Sequence, residues 1–118
     1  MDCWGDAPIL DHAMAEGETI DRSPRADVAK FIESELKEII PQLTDEVNTN
    51  TYGKPTKWMA EALLAKIYIN WPVYTAASVD LYDAATAKNE KLNDCIALCD
   101  DIIKSGKFNL GSMSYSKK

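Results

Sequence analysis

The sequence predicts an all-α fold, and three observations lead to this prediction. Apolar residues recur at spacings of three and four in two segments, a third segment is apolar around most of its circumference, and capping residues bound the segments. Of 118 residues, 46% are hydrophobic and 27% are charged, which is the composition of a folded globular chain. We expect three main helices, near residues 24–43, 56–71 and 89–105.

The first helix follows an entry segment, residues 1–22, that shows no sustained period and predicts extended or looped backbone. The helical region then covers residues 23–110. Ser23 is the expected N-cap, with Pro24 at the first helical position, where its missing N–H has no partner to lose. The apolar stripe of this helix consists of Val28, Phe31, Ile32, Leu36, Ile39, Ile40 and Leu43. Pro41 disfavours helical backbone at the residue before it, so the helix should end within a few residues.

The second helix is expected to start from Thr56 as its N-cap and to end at Pro72. Residues 58–71 are almost all apolar, and we expect only Glu61 and Lys66 to face water. A helix that is apolar around most of its girth is buried between neighbours. Three small residues should let a neighbouring helix approach closely, namely Ala60, Ala62 and Ala65.

The third helix follows residues 73–87, which have no clear period and predict a long loop, or a loop with one helical turn. Gly106 supplies the left-handed residue that ends this helix, and Phe108 should pack back on its last turn. The residues expected to face inward are Leu92, Cys95, Ile96, Cys99, Ile102 and Ile103. The polar tail, residues 111–118, is expected to be mobile.

The second and third helices together are similar to a tetratricopeptide hairpin in their pattern of small and large residues. The loop between them is longer than the usual turn of that repeat. One such hairpin cannot bury its own faces, because solenoid units need neighbours. We therefore expect the chain to be part of a larger helical domain.

Charge and hydropathy exclude some classes of function. Thirteen basic and nineteen acidic residues give a net charge of −6, which argues against nucleic-acid binding, since phosphates require a basic face. No apolar stretch approaches the roughly 20 residues that span a bilayer. The N-terminus lacks the basic and apolar regions of a signal peptide.

The three cysteines, Cys3, Cys95 and Cys99, cannot all pair within one chain, and their pairing state stays open. Cys95 and Cys99 lie four residues apart on one helix, where we expect both to be small buried hydrophobes. This spacing is not that of a zinc site, and the single His12 could not complete one.

Six stretches stand out in combination: residues 4–9 (WGDAPI), 22–28 (RSPRADV), 31–36 (FIESEL), 52–57 (YGKPTK), 60–70 (AEALLAKIYIN) and 102–108 (IIKSGKF). Spaced over about 105 residues, they resemble the SusD/RagB family of outer-membrane lipoproteins of Bacteroidetes. Members of this family usually have Arg-Ala where this chain has Lys54 and Pro55, and they often have a shorter linker between the paired helices.

The resemblance implies an all-α domain with tetratricopeptide-like hairpins, of which this chain would be a central segment. It implies a position on the cell surface, at the outer membrane, through a lipid anchor that lies outside this segment. It also implies binding of oligosaccharides for import by a TonB-dependent, SusC-like transporter. Family members are not enzymes, so the resemblance implies no catalytic residue, and we expect no cofactor or metal. Most of the family's ligand contacts lie outside this segment, so none is carried over.

Candidate ligand contacts are therefore chosen by residue type, because sugars stack on flat aromatic faces. Trp58, Tyr68, Phe31 and Phe108 lie on apolar helical stripes and are predicted to be core residues. Trp71, Tyr74 and Tyr82 fall at a helix end or in the following loop, where exposure is expected. These three are the candidate sugar contacts. The alternative is that they pack the loop on the helices.

Two other interpretations of the acidic residues are weaker. Adjacent acids on a helix point about 100° apart, so Asp100 and Asp101 are expected to form a solvated face rather than a hydrolase pair. Asp80, Asp83 and Asn89 could approach a calcium ion, but their spacing matches no EF-hand loop.

The alternative to glycan capture is a tetratricopeptide-type protein-interaction scaffold without sugar binding.

Overall fold

The structure, a computed structural model, describes residues 1 and 3–111. Within these residues the chain forms α-helices and no β-strand, so the predicted all-α class is confirmed. The helices are α1 (Arg25–Ile39), α2 (Lys57–Ile69), α3 (Trp71–Thr75) and α4 (Leu92–Lys104). Short 3-10 helices lie at Ile40–Gln42 and Val79–Leu81. The predicted mobile tail lies, apart from Gly111, outside the described residues.

The N-terminus of α1 is capped from the entry segment. The N-cap position is occupied by Pro24, which has no side-chain oxygen, and Ser23 forms an antiparallel bridge with Ala7. The backbone N–H of Arg25 donates instead to Asp6 Oδ1 at 2.9 Å. The prediction that Ser23 caps α1 was wrong, because a carboxylate 19 residues earlier in the chain supplies the acceptor.

The start of α2 is as predicted, and its end is not. Thr56 is the N-cap, and its side-chain oxygen accepts a hydrogen bond from the backbone N–H of Met59. The helix ends at the C-cap Asn70, before the predicted stop at Pro72. Pro72 lies in the first turn of α3, where a proline has no helical hydrogen bond to lose. The chain then forms one further helical turn, α3, before an irregular segment, so the predicted alternative of a loop with one helical turn describes this region.

The core is built around α2, against which both α1 and α4 pack, while α3 packs on α1. The buried cluster consists of Ala29, Leu36, Ala60, Leu64, Ala65, Ile67, Tyr68, Trp71, Tyr74 and Cys95. Trp58 and Tyr68 are buried as predicted, and Phe31 is half-buried. Lys66 faces water, whereas Glu61 is buried with 3% exposure, contrary to the prediction. Lys57 Nζ lies 3.3 Å from Glu61 Oε1, which compensates the buried charge.

The inward face of α4 is narrower than predicted. Of the six residues expected inside, Cys95 is buried and Ile102 is half-buried. The other four are exposed: Leu92, Ile96, Cys99 and Ile103. Among the described residues the main packing neighbour of α4 is α2, which covers one strip of its surface.

Some of the predictions for the cysteines and for the end of α4 are confirmed, and others are wrong. All three cysteines are free, and the expectation of burial is confirmed for Cys95 but wrong for Cys99. Gly106 has the predicted left-handed conformation, with φ +65°, and its N–H donates to the carbonyl of Ile103. Phe108 was predicted to be a core residue, but it is 51% exposed.

A pair of alanine variants tests the packing of α2. Ala65 is buried, and its carbonyl accepts a hydrogen bond from Cys95 Sγ at 3.3 Å, whereas Ala62 is exposed, contrary to the prediction of a close helix contact. We expect Ala65→Leu to lower the free energy of unfolding by about 1–3 kcal/mol through overpacking. The matched control, Ala62→Leu, should change it little. Denaturant unfolding measures both, and equal effects would contradict this orientation of α2.

Candidate functional site

The three aromatic residues predicted as ligand contacts lie in two different environments. Trp71 and Tyr74 are 5% and 8% exposed, so the prediction of exposure was wrong for both. They are three residues apart in α3, share one face of that helix and belong to the buried cluster, in which the Trp71 ring meets the Tyr68 ring edge-on. Trp71 Nε1 also donates to Glu90 Oε1 at 3.2 Å. The loop-packing alternative therefore describes their position.

Tyr82 is 36% exposed and lies apart from the buried cluster. It lines a shallow recess of about 250 Å³ between α3 and the residues that precede α4, together with Pro72, Leu81 and Lys88. Asp83 turns the backbone here, since its carboxylate accepts hydrogen bonds from the Ala85 N–H and the Thr86 hydroxyl. The structure thus does not join the three predicted residues into one aromatic platform.

The buried carboxylate of Glu33, on α1, accepts hydrogen bonds from donors in three segments of the chain. One of its oxygens, Oε1, accepts from Tyr68 Oη at 2.8 Å, Lys37 Nζ at 2.7 Å and Lys91 Nζ at 2.9 Å. These donors come from α2, from α1 itself and from the residue that precedes α4. We call these four residues the Glu33 cluster. It connects all three long helices.

The electrostatics of the Glu33 cluster favour the charged carboxylate. Burial opposes the charge on Glu33, but the hydrogen bonds from Lys37, Lys91 and Tyr68 outweigh it and lower the pKa from 4.5 to about 2. Burial, together with the hydrogen bond to Glu33, raises the pKa of Tyr68. Lys91 Nζ lies 5.4 Å from the ring centre of Tyr68 and 5.3 Å from that of Trp71, within range of cation–π attraction. The cluster therefore stabilises the fold as an ion-pair network.

A second polar cluster joins α2 to α4. Lys57 Nζ contacts Asp101 Oδ2 at 3.0 Å and Glu61 Oε1 at 3.3 Å. Glu61 Oε2 is buried and has no hydrogen-bond partner within the described structure. Burial raises the pKa of Glu61, whereas the hydrogen bond from Lys57 lowers the pKa of Asp101. Carboxyl groups with divergent pKa values are typical of acid–base catalysis, but this oxygen is sealed from solvent and cannot reach a substrate.

A groove of about 520 Å³ lies over α2 between the end of α1 and the side of α4. Leu64 and Tyr68 of α2 contribute to its lining, with Ile40 on one side and Leu98 on the other. Charged side chains also line it, namely Lys37, Asp94 and Asp101. An apolar groove with charged edges can accommodate an amphipathic segment. The Tyr68 ring is almost fully buried and offers no face for stacking.

The exposed side of α4 presents a continuous row of apolar side chains, Leu92, Ile96, Cys99 and Ile103. Their spacings of four, three and four place them on one face, which we call the α4 stripe. Ile96 is 53% exposed and Ile103 is 74% exposed. Next to α4, a hollow of about 280 Å³ opens between Met59, Ala62 and Ile102. Apolar surface is therefore left uncovered on the α2–α4 pair.

Comparison with known proteins adds no assignment to this geometry. The chain matches no protein-family model, no curated protein and no solved structure. Among the described residues, no helix has the length and apolar character needed to cross a membrane. What is established, for the described residues, is an all-α fold whose three long helices are joined by two ion-pair clusters, each centred on a buried glutamate.

The burial of Glu33 and Glu61 was not predicted, although the sequence contains a signal for each. Glu33 occupies the same helical face as Ala29, Leu36 and Ile40, which is an apolar stripe of α1. Glu61 is the single acid in an otherwise apolar helix and follows Lys57 by four residues. An acid at a core position with a lysine four residues away indicates a buried ion pair.

The Glu33 cluster gives a prediction about pH. The pKa of Glu33 is lowered in the folded state, so its stabilisation is present above pH 4.5 and is lost as the pH falls toward about 2. We expect Glu33→Gln to remove on the order of 2–3 kcal/mol of unfolding free energy at neutral pH, and the difference from the native protein should shrink in acid. Denaturant unfolding across pH measures this. Glu35→Gln, an exposed change on the same helix, is the control, and a pH-independent difference would contradict the prediction.

The α4 stripe gives a prediction about association. The isolated chain should bind a hydrophobic dye or self-associate, because burial of contiguous exposed apolar surface is energetically favourable. Ile96→Lys should weaken both effects without loss of helix content, since this side chain is half exposed. Asn93→Lys adds the same charge at an exposed position outside the stripe and should change neither. Dye fluorescence and sedimentation measure them, and a monodisperse native chain that binds no dye would disprove the prediction.

Proposed function

We propose that this chain is a helical-repeat segment of a SusD/RagB-type lipoprotein that captures oligosaccharides at the outer surface of the outer membrane. The proposed partner is a TonB-dependent transporter, to which the oligosaccharide is passed. The observation that carries the proposal is the packing of stretches that resemble the family. Asp6, in the first stretch, caps the helix that the second stretch begins, and Ala7 pairs with Ser23 across the same two stretches.

The other resembling stretches also build the fold. Thr56, in the fourth, caps α2, and residues 60–70 form most of that helix. Gly106, in the last, ends α4 with a left-handed conformation. These stretches cap, end or form the helices, so they are structural determinants of one fold. Their occurrence in order along this chain therefore supports an architecture shared with the family.

The α4 stripe supports the proposal that this chain is one unit of a larger helical array. In such arrays each hairpin buries its outer face against the next, and a single unit leaves that face exposed. We propose α2 and α4 as a tetratricopeptide-like hairpin of this kind. The bilayer would be reached only through a lipid anchor outside this segment.

Capture without hydrolysis is the proposed chemistry. Glycoside hydrolysis needs two carboxyl groups that flank the substrate, roughly 5–10 Å apart. Glu33 is committed to its three donors, and the unpaired oxygen of Glu61 is inaccessible. No cofactor takes part in this proposal.

A protein-interaction scaffold is the second candidate, and the groove over α2 favours it. Its lining combines Ile40, Leu64 and Leu98 with one lysine and two aspartates. Such a groove suits a short amphipathic helix with charges of both signs. In this alternative the protein binds a polypeptide and no sugar.

We expect the complete gene product to bind at least one member of a panel of hexasaccharides and to release it uncleaved. Titration calorimetry measures binding, and chromatography of the recovered sugar detects cleavage. Tyr82→Ala removes the one exposed member of the three aromatic candidates, and a loss of affinity beyond that of Tyr52→Ala, also exposed, would place a sugar contact at Tyr82. Cleavage would disprove the non-enzyme part of the proposal. Failure to bind any sugar, with binding of an amphipathic peptide in the groove, would favour the scaffold.

A further inference from the structure

A cleft of about 520 Å³ lies where the entry segment meets the start of α1 and the residues that follow α3. Four side chains with distinct chemistry line it: Trp4, Asp6, Arg25 and Ser78. The rest of its lining is glycine, alanine and proline. Its volume falls in the range of about 300–1,000 Å³ that is typical of small-molecule sites.

Trp4 is the unusual member of this cleft, because 85% of its surface is exposed. The other two tryptophans, Trp58 and Trp71, are 7% and 5% exposed. An exposed indole beside a concave surface presents a large, rigid apolar face with little conformational entropy to lose on binding. Single exposed apolar residues are common, so the groups around Trp4 decide what it could bind.

The backbone that carries Trp4 is fixed by several hydrogen bonds. The Gly5 N–H donates to the Met1 carbonyl at 2.9 Å, and Gly5 takes the left-handed conformation, φ +69°, that this turn requires. Ala7 and Ser23 exchange two backbone hydrogen bonds, at 3.0 and 3.2 Å. Together with the contact between Asp6 and the Arg25 N–H, these bonds hold the entry segment against α1.

The polar groups of the cleft supply both acceptors and donors. The Asp6 carboxylate accepts hydrogen bonds, the Ser78 hydroxyl can donate or accept, and the Arg25 guanidinium donates. In the described part of the chain, that guanidinium forms no ion pair. A sugar ring has an apolar C–H face and a rim of hydroxyl groups, so it matches an aromatic face beside such mixed polar groups. A nucleic acid would match poorly, since Asp6 and the net charge of −6 repel phosphate.

We propose that this cleft is a saccharide-binding site, in which Trp4 stacks on one sugar ring and Asp6, Arg25 and Ser78 bond its hydroxyl groups. The inference rests on the proposed capture of oligosaccharides and gives that capture a position in the fold. The site lies in the entry segment and not on the aromatic residues that follow α2. Arg25 further suits a sugar that bears a carboxylate, which a guanidinium can bind through two hydrogen bonds.

The test uses the complete gene product with neutral and uronate-containing hexasaccharides. For the best-bound sugar, we expect Trp4→Ala to weaken affinity by roughly tenfold to a hundredfold, by analogy with the loss of one base-stacking ring. Trp4→Phe should retain most of the affinity, because an aromatic face remains. Trp4 is largely exposed, so Trp4→Ala should leave helix content and unfolding unchanged. Tyr52→Ala, at a 91% exposed aromatic outside the cleft, is the matched control.

Two further measurements separate the outcomes. Bound sugar should protect tryptophan fluorescence from acrylamide, and this protection should disappear in Trp4→Ala, since Trp4 is the exposed one of this segment's three indoles. Arg25→Gln keeps the backbone N–H that Asp6 caps, so it should weaken binding of a uronate-containing sugar without disturbing α1. A protein that binds a sugar with unchanged affinity in Trp4→Ala overturns this site and leaves the proposed capture intact. A protein that binds no sugar of the panel overturns both.

Discussion

One oxygen of the Glu33 carboxylate receives hydrogen bonds from Tyr68, Lys37 and Lys91, and the arrangement of the long helices depends on this atom. Both α1 and α4 pack on α2. The Glu33 cluster adds a polar link among all three. It also brings Lys91 over the rings of Tyr68 and Trp71, which covers that end of the core. Loss of one donor would leave a buried charge less compensated, and this is costly in an apolar interior.

The second consequence of packing around α2 is the uneven burial of α4. This helix has an apolar arc wider than the strip that α2 covers, so the α4 stripe remains exposed while Cys95 is buried. A helix with two neighbours would bury the whole arc. The width of the arc therefore indicates that α4 has the composition for a second partner, which is consistent with the proposed helical array.

The position of the candidate sugar site follows from the same architecture. The short helix α3 places Trp71 and Tyr74 in the buried cluster, and Trp4, in the entry segment, is the tryptophan whose indole remains accessible. Asp6 links that segment to α1 by capping it. A single residue thus both positions the entry segment and contributes a polar group to the cleft. This dual position explains why the cleft forms from residues that are distant in sequence.

The sequence by itself determined the helical class, the approximate bounds of the three long helices, the Thr56 cap and the Gly106 stop. These features depend on interactions within a few residues, and local patterns report such interactions directly. The core position of Tyr68 was also predictable, because it lies on an almost wholly apolar helix. Glu33 carried a readable local signal in its position on the apolar stripe.

Only the tertiary structure decided which side of each helix has a neighbour. Burial of Glu61, exposure of Ala62, Cys99 and Phe108, and the capping of α1 by Asp6 all depend on contacts between distant segments. The apolar pattern of α4 does not reveal that α2 is its one long-helix neighbour. Trp71 and Tyr74 are buried because the chain forms the short helix α3, with Pro72 in its first turn. The sequence alone permitted either a loop or a helical turn at this position. Long-range packing selects among arrangements that the local sequence permits equally, and this is its physical contribution here.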